Sequence, residues 1–226
     1  MINWSEKLLL GLDESRLVEF PSLKCRIHQQ LLEPLVFLQE RAASAGFILK
    51  VASSYRSFQR QLLIWNNKAR GLRPVLNDVG VAIDINRLSD RDKIFAILRW
   101  SALPGASRHH WGTDIDVYDG SRIDDAYQLQ LTVAETQGDG PFAEFHHWLS
   151  DELLQGNSDF FRPYAHDQGG IAPEPWHLSY APLSTIFSRH LTQEILQHQL
   201  VHTDLELKQA VLDNLDEIYQ RFIRIE

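Results

Sequence analysis

The chain has 226 residues, enough for one domain or for one domain with a helical extension. With 44% hydrophobic and 10% aromatic residues it has ample material for a packed core, which excludes disorder throughout. A formal net charge of −8 argues against general binding to nucleic acid or to an anionic membrane surface.

A single cysteine, Cys25, excludes an internal disulfide and reads as a small buried side chain. The apolar run Leu8-Leu9-Leu10 is broken by Gly11 and Asp13 and follows no basic leader. It is too short for a signal-peptide core or a membrane span, so the expected location is cytoplasmic, or periplasmic if a signal peptide has been removed.

Residues 27–45 carry apolar side chains at helical spacing, with Gly46 where a C-terminal cap belongs. Residues 47–53 alternate like a strand, and 57–68 are helical again. Ser53, Ser54, Tyr55 and Arg56 therefore fall on a strand-to-helix junction, where a rigid element presents an exposed turn. Residues 70–88 read as a loop with a short strand at 81–85. A helix follows over 89–100, capped by Ser89 with Asp90 and Asp92 in its first turn. Residues 103–112 form a loop and 113–118 a strand; helices are expected at 124–136 and 141–155.

A loop containing Gly169, Gly170, Pro173 and Pro175 leads into a strand at 176–180. Residues 182–226 read as two helices broken near 202–204. Their apolar stripe (Leu205, Val211, Leu212, Leu215, Ile218, Phe222) packs on the domain. The sum is an α+β fold, a small mostly antiparallel sheet flanked by helices, with 1–181 as the main domain and 182–226 as a helical extension packed on it.

Of the ten histidines, the informative ones lie in residues 107–116 and 174–180. A zinc hydrolase site takes three imidazole or carboxylate ligands and leaves a fourth position open. A turn at Gly112 lets the strand carrying Asp116 run back past His109, and His177 adds a third donor from a neighbouring strand. Glu174 is held close by the stiff Pro175, where a general base belongs. The spacing is not that of HExxH, so by itself it leaves hydrogen-bonding histidines as an equal alternative.

Three motifs decide between them. Ser107-x-His109-x-x-Gly112-x-x-x-Asp116 and Glu174-Pro-Trp-His177 resemble the two metal signatures of the VanY-type D-alanyl-D-alanine carboxypeptidases. That group also includes L,D-carboxypeptidases and D-Ala-D-Ala dipeptidases. Ser53-Ser54-Tyr55-Arg56-Ser57 followed by Gln61 resembles their third signature, SxYRSxxxQ. The resemblance implies the zinc peptidoglycan-peptidase (hedgehog/DD-peptidase-like) fold, with Zn2+ held by His109, Asp116 and His177. It makes Glu174 the base and then the acid, and Arg56 the cation for the substrate carboxylate or the oxyanion. Ser107, Gln61 and Tyr55 become substrate-binding residues.

The chain departs from the pattern at Asp114, where the family has a small apolar residue. Strand alternation puts Asp114 on the face of Asp116, as an orienting partner or as a rival ligand. His110 is either a neighbour of the site or a surface residue, and Trp111, Trp176 and Tyr180 either wall the pocket or pack the sheet. The implied partners are peptidoglycan peptides or muropeptides. In the cytoplasm, removal of D-alanine from pentapeptides would destroy wall precursors. The expectation is therefore L,D-carboxypeptidase action on recycled tetrapeptides. A D,D-carboxypeptidase, or an endopeptidase of the same fold, is the alternative.

Overall fold

A computed structural model describes residues 5–78, 80–124 and 126–224. Residues 1–4, where the N-terminal reading begins, lie outside it, as do Val79, Asp125 and residues 225–226. After the short helix α1 (Glu6–Leu9), β1 (Leu17–Phe20) and β2 (Cys25–His28) form an antiparallel hairpin. That pairing overrides the helical spacing expected from residue 27. Ile27 and His28 stand opposite Val18 and Leu17 of β1, and the helix α2 starts only at Leu32 (Leu32–Ser44).

Then come β3 (Leu49–Ser53), α3 (Phe58–Ala69), the small hairpin of β4 (Val75–Leu76) and β5 (Ala82–Ile83), and α4 (Asp90–Leu98). Ser89 caps α4 as expected, accepting from the Asp92 N–H. β6 (Asp114–Asp119) follows. The helix expected over 124–136 shrinks to α5 (Val133–Thr136). Side chains there compete with helical hydrogen bonding: Asp124 accepts from the N–H groups of Ala126 and Tyr127, and Glu135 from those of Gln130 and Thr132.

The helix α6 (Ala143–Leu154) leads to β7 (Phe160–Phe161) and β8 (His177–Tyr180). The main sheet is antiparallel with the order β3-β6-β8-β7. Its register pairs Asp114 with Ser179, Ile115 with Leu178, and Asp116 with His177. Successive side chains point to opposite faces, so Ile115, Val117 and Leu178 enter a core with Leu35, Leu38, Phe145 and Leu149. Asp114, Asp116, His177 and Ser179 share the opposite face. A register shift between Val51 and Ser53 ends β3 just before the Arg56 turn.

The tail comprises α7 (Ala181–His190), α8 (Gln193–Val201), α9 (Lys208–Asp213) and α10 (Leu215–Ile218), running into a π-turn at Tyr219–Ile223. The break near 202–204 is present. Another falls at Leu191, because the Thr192 side chain caps α8 by accepting from the Ile195 N–H. Val211, Leu215, Ile218 and Phe222 share one core with Leu8, Leu9, Leu10, Trp65, Ile94 and Ile97. Trp65 Nε1 donates to the Glu206 carbonyl (3.0 Å), and the Asn66 amide bonds to the backbone of Asp204 and Glu206, so α3 is tied to the tail. Among the described residues no helix is long and apolar enough to cross a membrane.

Gly112 links hairpin and site: its carbonyl accepts from the His28 N–H at 2.8 Å while its φ is +67°. A Cβ there would lie 2.6 Å from Leu17 Cδ2 and 2.8 Å from the His28 nitrogen. Gly112→Ala is expected to lower unfolding free energy by about 2 kcal/mol or more, combining left-handed strain with a backbone collision. Urea denaturation with an unchanged midpoint would contradict this account.

Candidate metal centre

The polar face of β6 and β8 and the helical turn before β6 bring three donors together. One ligand atom from each of His109, Asp116 and His177 lies within 4.8 Å of the others, and all three residues are buried. His109 Nε2 is 3.4 Å from Asp116 Oδ2, and His177 Nδ1 is 3.2 Å from Asp116 Oδ1. A tetrahedral zinc with bonds of about 2.0–2.1 Å holds its ligand atoms about 3.3 Å apart, so the spacing fits such an ion. Asp116 Oδ1 is buried without a hydrogen bond, which leaves a lone pair turned to the point where the three donors meet. The donor set therefore fits a zinc ion.

The remaining ring nitrogens fix the tautomers. His109 Nδ1 donates to the Asp114 carbonyl (3.2 Å) and His177 Nε2 to Asp114 Oδ1 (3.0 Å). His109 thus offers Nε2 to the centre, and His177 offers Nδ1. Burial alone would depress the His177 pKa; the carboxylates of Asp114, Asp116 and Glu174 outweigh it and raise it well above the usual value. Burial would raise Asp116, but His109 and His177 hold it below the ordinary carboxylate range.

The geometry separates the two readings of Asp114. Its Oδ1 also accepts from Arg108 Nε (2.8 Å), and its Oδ2 accepts from Thr113 Oγ1 (2.7 Å). The converging donors are His109, Asp116 and His177, and Asp114 stands behind them as the partner that orients His177. Arg108 is itself pinned by Ser179 Oγ (2.6 Å) and stacks over Trp111 and Phe161.

A cleft of about 260 Å³ opens over the centre, lined by Arg56, Ser107, Glu174, Lys68, Tyr164 and Trp176 besides the three donors. Glu174 Oε2 lies 3.4 Å from His177 Nδ1. Arg56 donates from Nη1 to Gln61 Oε1 (2.9 Å) and from Nη2 to Ser53 Oγ (3.1 Å). Burial lowers the Arg56 pKa, against the pull of Asp116 and Glu174.

Two expected substrate contacts are corrected. Gln61 is fully buried and does not line the cleft; its amide donates to the Ala102 carbonyl (2.6 Å), so it braces Arg56. Tyr55 also points away from the cleft: its hydroxyl bonds to the Gly11 carbonyl and Glu14, and its ring lies under Arg26. His110 is a buried staple. Nδ1 donates to the Arg56 carbonyl (2.5 Å), Nε2 accepts from the Gly105 N–H (3.1 Å), and burial pushes its pKa down to about 3. Trp111 packs on Phe187 and donates to the Leu9 carbonyl, outside the cleft.

Sequence reasoning passed over Arg108, Lys68 and Tyr164, whose ring stands 5.0 Å from that of His177. Arg108 was the legible one, since a buried Asp114 needs a cation.

Two imidazoles and one carboxylate on a cleft with a further carboxylate and an arginine are the parts of a mononuclear zinc hydrolase site. The chain belongs to the VanY family of D-alanyl-D-alanine carboxypeptidases, which matches residues 24–183. Two uncharacterised proteins of Haemophilus influenzae (strain ATCC 51907 / DSM 11121 / KW20 / Rd) are similar to it. One is 45% identical over 100 residues, covering 43% of this chain and 68% of that protein. The other is 31% identical over 123 residues, covering 54% and 92%.

Among solved structures, VanYB in complex with D-alanine-D-alanine has a TM-score of 0.52 at 20% identity, over 83% of this chain and 89% of that one. The LdcB LD-carboxypeptidase gives 0.52 at 22%, over 88% and 79%. A variant of the vancomycin-resistance D,D-pentapeptidase VanY in complex with Zn(II) gives 0.50 at 21%, over 86% and 88%. At these identities the likeness is one of fold.

Asp114→Asn keeps the shape and removes the charge facing His177 and Arg108. Zinc affinity is expected to fall about 10–100-fold, as for other partners of ligand histidines. Competition with a chelator of known affinity measures it; an unchanged affinity would remove Asp114 from this role.

Proposed function

We propose that this protein is a zinc carboxypeptidase that removes the terminal D-alanine from peptidoglycan stem peptides. The carrying observation is the convergence of His109, Asp116 and His177 on one point beside Glu174 and Arg56. Zinc, when bound, supplies Lewis acidity that polarises a carbonyl and brings the pKa of water towards about 7.

Glu174 Oε2 stands where it can take a proton from the attacking water and return it to the leaving amine nitrogen. Arg56 is held in place by Gln61 and Ser53 but keeps unused N–H donors. These meet the substrate carboxylate or the developing oxyanion. Ser107 and Lys68 on the same wall supply a hydroxyl and a second cation for a free chain end.

The finer reading is L,D-cleavage of tetrapeptide muropeptides during wall recycling. It follows from the proposed cytoplasmic location, where trimming pentapeptides would consume the cell's own precursors.

Mass spectrometry of tetrapeptide and pentapeptide muropeptides after incubation with the zinc-loaded protein tests both levels. Loss of one alanine from the tetrapeptide is expected. Loss from the pentapeptide alone overturns the L,D preference, and loss from neither overturns the carboxypeptidase. Glu174→Gln should retain zinc and lose about 10²–10⁴ in kcat.

Lys68 adds a pH signature. Burial, then Arg73 and Arg56, push its pKa down to about 8, while Glu174 pulls it up. As pH rises through about 8 the cleft loses this cation, so KM for a peptide with a free carboxylate should rise. Lys68→Met should start from the higher KM and show no such rise; a wild-type KM that is flat across this range contradicts the role.

A further inference from the structure

Among the described residues, three other than glycine have a left-handed backbone: Lys24, Leu131 and Leu207. Lys24 closes the turn between β1 and β2, and Leu207 packs on the core of the tail. Leu131, at φ +55°, lines the cleft over the metal centre, with Gln130 beside it. Leucine gains nothing from this conformation, because its Cβ crowds the following carbonyl oxygen. Glycine or asparagine takes it more readily. A strained residue of this kind persists where its surroundings over-determine it.

Here the surroundings are organised by one buried carboxylate. Glu135 straddles Leu131: its Oε1 accepts from the Gln130 N–H (3.1 Å) and its Oε2 from the Thr132 N–H (2.8 Å). The same oxygens accept from the Tyr127 hydroxyl (2.8 Å) and the Thr132 hydroxyl (3.2 Å). Burial would raise the Glu135 pKa, but the Thr132 and Gln130 N–H groups outweigh it and hold it below the ordinary value. The clamp is therefore charged at neutral pH, and its hydrogen bonds are of the stronger, charge-assisted kind. It is also tied to the sheet. The Phe142 N–H donates to the Glu135 carbonyl (2.9 Å), and the Phe142 ring meets those of Tyr127 (6.0 Å) and of Tyr118 on β6 (5.6 Å).

The cleft is mixed in character. Arg56, Lys68 and Ser107 supply its cations and a hydroxyl, whereas Leu76, Leu131 and Ile171 are its aliphatic lining. We infer that Leu131 is a specificity-determining residue of the proposed carboxypeptidase, packing on an aliphatic side chain of the bound peptide, and that Glu135 positions it. This role rests on that reading of the activity, and its test separates the two.

Leu131→Gly and Leu131→Asn remove the contact while suiting the backbone, so the loop keeps its shape. On a stem tetrapeptide each should raise KM about tenfold with little change in kcat, since Leu131 touches no reacting atom. Zinc content and melting temperature should stay at the wild-type level. Two analogues show which side chain is read: one has glycine in place of the terminal D-alanine, the other glycine in place of the residue before it. The gap in KM between wild type and Leu131→Gly should close on one of them. Closure on the first assigns the contact to the departing residue, and closure on the second to the acyl side. Either result supports the role; a gap that persists on both overturns it.

Glu135→Gln retains an acceptor oxygen on one side of Leu131 only, so KM should rise there too. In the Leu131→Gly background it should add nothing further, because no side chain is left to place. A purely structural Glu135 would cost as much in both backgrounds. If the wild type cleaves the tetrapeptide and both Leu131 variants keep its KM, the role of Leu131 alone falls. It falls as well if KM rises only together with loss of zinc or of melting temperature. If the wild type cleaves no stem peptide, the carboxypeptidase reading falls and takes this role with it.

Discussion

The register between β6 and β8 is the constraint on which the site depends. Pairing Asp116 with His177 sets a carboxylate opposite an imidazole, and Asp114 two residues earlier falls on the same face. A slip of β8 by one residue would send His177 into the apolar layer and bring Leu178 out, and a slip of β6 would do the same to Asp116 and Ile115. The hydrophobic face thus guards the metal-binding face: every one-residue slip that would take a ligand off that face also pulls an apolar residue out of the core. Asp114 then locks one histidine through its side chain and the other through its carbonyl, so a single residue sets both imidazole orientations.

Much of this was legible. β3, α3, α4, β6, α6 and β8 follow from periodicity and capping because each owes its conformation to local patterning. The metal triad was legible only in part from spacing, since its members come from distant segments and meet only through strand pairing. What stayed hidden has the same cause. The hairpin of β1 and β2 overrode a helical pattern by pairing Ile27 with Val18 and His28 with Leu17. Glu135 and Asp124 turned an apparent helix into loops by capturing backbone N–H groups. Tyr55 and Gln61 sit in the motif that carries Arg56, but Gln61 braces it from behind and Tyr55 bonds to Gly11 and Glu14. Motif membership reports that a residue matters; only burial and partners tell whether it touches ligand.

His110 carries a consequence beyond its own hydrogen bonds. It holds the Arg56 carbonyl, and its ring packs so closely on Gly11 that a Cβ there would come within 2.5 Å. Gly11 in turn accepts from the Phe58 N–H and the Tyr55 hydroxyl, while Trp65, farther along the same helix, is anchored to the tail at Glu206. The helix and turn around Arg56 are therefore held from both ends of the polypeptide, by segments that lie outside the family-matched span of 24–183. A fragment trimmed to that span would keep every metal donor and the direct partners of Arg56 (Ser53, Gln61 and His110), yet lose the outer contacts at Gly11 and Glu206 that hold the surrounding helix. Changes in the flanks can thus reach the Arg56 turn without touching the metal donors.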